Sequence, residues 1–171
     1  MIVVADTSPL NYLFLIGHIE VLRDLYGTIF VPRAVWRELQ SNATPSQVRD
    51  WFSSIPAWVE VRLVQSGLDP ATENLGDGVR EAIALSQEVD ADWLIADDLA
   101  ARTEAARRQI NVIGTLGILR NAASAGLLNL FDAIEKLQQT SFYASPSLIR
   151  SLLEEDAAWS DLDSKTEPNP R

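Results

Sequence analysis

The chain has 171 residues, 47% hydrophobic and 22% charged, with no cysteine. That suits one globular domain with a sizeable core, and it excludes a disulfide framework and thiolate-held metal. The net charge of −10 argues against a broad nucleic-acid-binding surface, which is normally basic, although residues 154–171, with six acids and two bases, supply −4 of it and leave about −6 for the body.

In chain order, IVVA (2–5), TIFV (28–31), WLIA (93–96) and NVIG (111–114) are short, apolar and mostly β-branched. Continuous hydrophobicity of this kind marks parallel strands covered on both faces. VEVRLV (59–64) alternates and reads as an edge strand or a half-exposed extended segment. Helical patterns lie between them. Thr7 or Ser8, followed by Pro9, caps a helix through LNYLFLI, and Pro32 starts RAVWRELQ. GVREAIALSQEV and LAARTEAARRQ follow, and Thr115 opens LGILRNAASAG, which closes at Gly126. Segments 129–139 and 145–156 read as C-terminal helices, and Ser145 caps the second. Strands alternating with helices imply an α/β fold with a mostly parallel central sheet. The expected organisation is one domain over 1–156 and a polar, acidic, flexible tail over 157–171.

The N-terminus MIVVADTSPL has no basic targeting region. NYLFLIG falls far short of the ~20 apolar residues of a membrane span, so the expectation is a soluble, cytoplasmic protein with no membrane partner.

Several acids sit where a core would not place them. Asp6 ends the first strand, as Asp97 and Asp98 end WLIA. In an open parallel sheet the carboxyl ends of the strands line one crevice, so these acids share a rim. Glu38 lies beside the buried stripe of its helix (Val35, Leu39), and Glu81 flanks the stripe Val79, Ala82, Leu85, Val89. Each acid alone has a structural reading. Asp97 or Asp98 would cap the helix that follows, and Asp6 would brace the DTSP turn. Glu38 would pair with a neighbouring arginine, and Glu81 with Arg80 or Arg120. Together they read differently. Two carboxylates ~4 Å apart repel by ~4 kcal/mol at an effective dielectric of 20, against a domain stability of ~5–15 kcal/mol. A divalent cation or shared protons would relieve them, and all-oxygen ligands suit Mg²⁺ or Mn²⁺.

DTSPL after the first strand, a glutamate in the helix after strand two, GxxEAIAL and LIADD resemble the PIN-domain nucleases, in particular the branch that includes VapC-type toxins. GTLGIL and FYASPSLIRSLL resemble a bacterial PIN-like subfamily, and the resemblance runs to about residue 156. It implies a three-layer α/β/α sandwich and hydrolysis of RNA phosphodiesters with Mg²⁺ or Mn²⁺. It also implies a homodimer, and an antitoxin protein as a possible partner. The family's acidic quartet maps onto Asp6, Glu38, Glu81 and the Asp97–Asp98 pair. Asp98 takes the strand-end place, with Asp97 as the alternative. On this reading Asp6 and Asp98 ligate metal directly, and Asp97 and Glu81 belong to the same metal set. Glu38 and Glu81 complete the shell or orient water. Thr7, Ser8 or Thr115 would hold a phosphate or a water. The sequence departs from the family in having Val79 where relatives often carry an acid, which leaves Asp77 as an outside candidate. It also has Ala96 in place of a strand-end threonine.

Twelve of the fourteen basic residues are arginine. Arg102, Arg107 and Arg108 follow the acid pair on one helix and would form an RNA track, with Arg102 as the substrate-binding choice; helix-surface ion pairs are the plainer alternative. Trp36, Trp51 and Trp58 read as core or interface residues, and His18 as a helix end without a catalytic role. The run 10–25 is rich in Leu, Ile, Phe and Tyr, which fits a dimer interface or simple core burial. A haloacid-dehalogenase-like phosphatase would need a second acid at Ser8, and a receiver domain would need its acid pair near strand one and a late lysine after a strand. The remaining rival is a PIN-like interaction module that kept the fold but not turnover.

Overall fold

Five short apolar segments pair into one sheet in the computed structural model, which describes residues 1–166 and the side chains of 1–157. They are β1 (Val3–Ala5), β2 (Ile29–Pro32), β3 (Val59–Arg62), β4 (Trp93–Ile95) and β5 (Val112–Ile113). The order is β3-β2-β1-β4-β5, and every pairing is parallel. Because side chains alternate along a strand, one face carries Val4 and Leu94 and the other Val3, Ala5, Ile29, Val31 and Ile95. All of these are fully buried, so both faces are covered, as the unbroken apolar runs required. The alternating VEVR segment lies at the sheet edge, as expected.

The helices are α1 (Thr7–Leu15), α2 (Val21–Tyr26), α3 (Arg33–Leu39), α4 (Ser46–Ser53), α5 (Asp77–Glu88), α6 (Leu99–Arg107), α7 (Thr115–Ser124), α8 (Leu130–Gln138) and α9 (Pro146–Thr166). On the Val4–Leu94 face, Ala82, Ile83 and Leu85 of α5 pack with Ala101 and Ala105 of α6. The chain divides into two compact units, 1–118 and 119–171. In the second, α8 buries Leu130, Ala133, Ile134 and Leu137, one helical stripe.

Three local readings change. The first helix ends before His18, as expected, with Gly17 at φ +76° in a left-handed turn, but the run 10–25 then continues into a second helix, α2. Its Leu10, Leu13, Ile16, Ile19, Val21 and Leu22 are buried within the protomer, so core burial accounts for them. The residue preceding α1 is Asp6 and not Thr7 or Ser8, which lie inside the first turn. Helix α4 was not foreseen, since it offers only Val48 and Phe52 to the core. Its Trp51 packs with Phe14, Phe52 and Trp58, at ring separations of 5.7, 4.6 and 6.0 Å. The expected tail begins within α9, which continues to Thr166, and residues 167–171 lie outside the described ones. No helix among the described residues is long and apolar enough to cross a membrane.

Candidate active site

The sheet order turns outward in both directions from β1 and β4, so the crevice at their carboxyl ends is the topological switch point. Ala5 lies opposite Ile95, and the Asp6 N–H donates to the Ile95 carbonyl at 2.9 Å. That register sets Asp6 beside the Ala96–Asp98 turn. Asp6 is only 5% exposed. Burial is the main reason its carboxyl is pushed up to about 6 from the usual 3.8; the Thr7 N–H opposes this, and the charges of Glu38, Asp98 and Asp97 add to it. Asp6, Glu38, Asp97 and Asp98 therefore share one electrostatic neighbourhood; Glu81, expected in the same set, is not among the charges acting on Asp6.

Each neighbouring acid is also tied to the start of a helix. Glu38, on α3, accepts from Gly78 N at the start of α5 at 2.9 Å, and the Thr7 hydroxyl donates to its other oxygen. Glu81, on α5, accepts from Ala34 N at the start of α3 at 2.7 Å. The two helices thus cap each other. Asp98 precedes α6 and accepts from Ala101 N at 2.8 Å. Asp97 receives both the N–H and the hydroxyl of Thr115, the first residue of α7, at 2.8 and 2.6 Å. Helix N-termini carry partial positive charge and unsatisfied N–H groups, so this arrangement offsets part of the repulsion. The offset is incomplete. Asp97 is also raised, mainly by burial, against the Thr115 bonds and the Arg102 charge.

Two glycines make room for these carboxylates. A Cβ on Gly78 would stand 2.7 and 2.8 Å from the Glu38 oxygens, and one on Gly114 would stand 2.8 Å from Asp97 Oδ1 and 3.0 Å from Arg102 Nη1. Neither glycine was singled out from sequence, although Gly114 directly follows a strand and Gly78 opens the GxxEAIAL motif.

The remaining candidates separate. Arg102 turns toward Asp97 and donates to the Ala96 carbonyl at 3.3 Å. Glu81 does not pair with Arg80 or Arg120: its ion pair is with Arg37 at 3.6 Å, while Arg80 approaches Asp77 and Arg120 approaches Glu155. The partners of Glu38 are a hydroxyl and a backbone N–H, where an arginine was the alternative. Asp77 is largely exposed. Ser8 shares the first turn of α1 with Thr7. Arg108 is taken up by Asp69 and Glu104, at 2.7 and 2.8 Å.

The donor set, all carboxylate and hydroxyl oxygen, fits a hard divalent cation. Among the described residues no three acidic or histidine side chains stand close enough to ligate one ion. The fit therefore rests on donor type and on the uncompensated charge around Asp6.

The fold is an α/β domain with an acidic crevice at its sheet switch point. A family model described as a PIN domain (DUF3368) matches residues 2–157, and the chain belongs to that family. PIN domains are generally nucleases and typically use divalent metals. Among solved structures, a PilT N-terminus domain protein from the hyperthermophilic archaeon Sulfolobus solfataricus is similar, at 17% identity and a TM-score of 0.49, over 85% of this chain and all of that one. No curated protein matches.

Proposed function

We propose that the crevice hydrolyses RNA phosphodiester bonds with Mg²⁺ or Mn²⁺, as an endoribonuclease. The observation that carries this reading is Asp6, buried and pushed up to about 6 beside three further carboxylates. A site of that kind gains most from a bound cation. Asp6 and Asp98 would hold the ion, and Asp97 and Glu81 would join the set as the crevice closes on it. The ion would supply charge neutralisation at the phosphate and an acidified water. Glu38, fixed between the Thr7 hydroxyl and Gly78 N–H, keeps its carboxylate at the rim, where it would orient water. Thr7, Ser8 and Thr115 would position phosphate or water oxygens, and Arg102 would hold Asp97 in place while bordering the substrate. Restraint by an antitoxin, a homodimeric state and a cytoplasmic location belong to the same reading.

Incubating single-stranded RNA with the protein and Mn²⁺ tests it. The wild type should cleave, and Asp6→Asn and Glu38→Gln should each lose at least ~10²-fold, the scale of a lost catalytic group. Cleavage that survives Asp6→Asn would overturn the assignment.

A second reading has its own observation. Glu38, Glu81, Asp97 and Asp98 all close helix N-termini, so they serve the fold without any turnover. An interaction module would keep them. It would bind RNA or a protein without cleaving, whatever the metal.

A further inference from the structure

Asp98, one of the crevice acids, also lines a groove of about 580 Å³ along α6. Its apolar lining includes Leu99, which follows Asp98 and is 77% exposed, an unusual state for a leucine beside a cluster of charges, and Leu75, which packs against the core. Its polar lining, besides Asp98, is Asn74, Thr103, Glu104 and Arg107, the last three on α6. Arg107 is 74% exposed and pairs with Glu104 at 3.5 Å. The Thr103 hydroxyl is engaged with the Leu99 carbonyl at 2.8 Å, which leaves the Asn74 amide as the exposed donor and acceptor on the wall.

We propose that this groove seats the base of one unpaired nucleotide of an RNA strand whose neighbouring phosphate lies at the acidic crevice. The proposal rests on the nuclease reading above and names which part of the substrate determines binding. A nucleobase is a flat, largely apolar group with a polar edge, and the groove offers two leucines and an amide. Its volume falls in the range of small-ligand sites, ample for one nucleotide and too small for a duplex. Continuity with Asp98 supplies the register, since a base and its own phosphate are close neighbours. Arg107, beyond the base, is placed for the next phosphate. A base-paired strand keeps its bases stacked inside and would present only backbone here, so the substrate is single-stranded.

The test compares two probes by fluorescence anisotropy: a labelled hexauridylate, and a hexamer of the same ribose-phosphate backbone without bases. Full-length Asp6→Asn protein keeps the RNA intact. It should bind the hexauridylate about tenfold more tightly than the abasic strand, the equivalent of one well-packed apolar contact. Adding Leu99→Ala should erase that difference, whereas Arg107→Ala should weaken both probes alike. Leu99 is exposed, so its replacement should leave the circular dichroism spectrum unchanged. A preference for the hexauridylate that persists in the Leu99→Ala protein, or equal binding of both probes from the outset, overturns the base site and leaves the nuclease reading standing. Binding of neither probe also overturns the base site, while cleavage of RNA by the wild type with Mn²⁺ decides the nuclease reading separately.

Discussion

Asp6 is the residue at which the competing terms do not cancel. Its carboxyl ionises near 3.8 in the unfolded chain and at about 6 in the folded one. Between those values the folded state binds more protons, so stability declines as pH rises from about 4 to about 6 and stays lower above that. The shift corresponds to at most ~3 kcal/mol. Asp6→Asn keeps an acceptor for the Thr7 N–H and removes the charge. Urea titrations should therefore find the Asn variant more stable than wild type by ~1–3 kcal/mol at pH 8 and indistinguishable from it at pH 4. Equal stability at both pH values would mean that neither burial nor the neighbouring acids penalise the Asp6 charge. The residue was legible from its place after IVVA. Its burial was not, because that depends on the Ala5–Ile95 register across the sheet.

At the scale of the element, the strands and longer helices could be read because their apolar pattern is strong. The missed pieces were short. Helix α4 buries two side chains, and α2 follows a glycine turn that periodicity alone does not reveal. The Asp98 alternatives also meet at this scale: it caps α6 and is a candidate metal ligand. Substitution separates these roles. Asp98→Asn keeps a capping oxygen, whereas Asp98→Ala loses it, at a cost of about 1 kcal/mol. The Ala variant should melt a few degrees lower than the Asn variant, while both lose Mn²⁺ affinity equally in calorimetric titration. If Asn binds Mn²⁺ as the wild type does, Asp98 is a cap and nothing more. The reciprocal capping of α3 and α5 by Glu81 and Glu38 was beyond a one-dimensional reading, since the donors, Ala34 and Gly78, lie 47 and 40 residues from their acceptors.

For the whole molecule, with its net charge of −10, a divalent cation bound in the crevice would also act on stability. A ligand at a hundred times its dissociation constant stabilises by ~2.7 kcal/mol, worth ~5–10 °C in a chain of this size. Millimolar Mn²⁺ should raise the melting temperature by that order at pH 8. The rise should shrink at pH 5, where protons occupy Asp6, and be largely absent in Asp6→Asn. Sodium chloride at equal ionic strength should not reproduce it. An equal rise with sodium would assign the effect to general screening of the acidic surface.

The helix starts that hold the acids also bear on inheritance. Four of the carboxylates close a helix, so a lineage freed from selection for turnover would still be penalised for discarding them. Asp6 is different, because an asparagine there would relieve the fold. Among descendants of such a chain, the first acid to drift should be the one after β1, while the other four persist as architecture. A relative that retains those four and has lost the first would then mark a retired enzyme, and a count of acids alone would miss it.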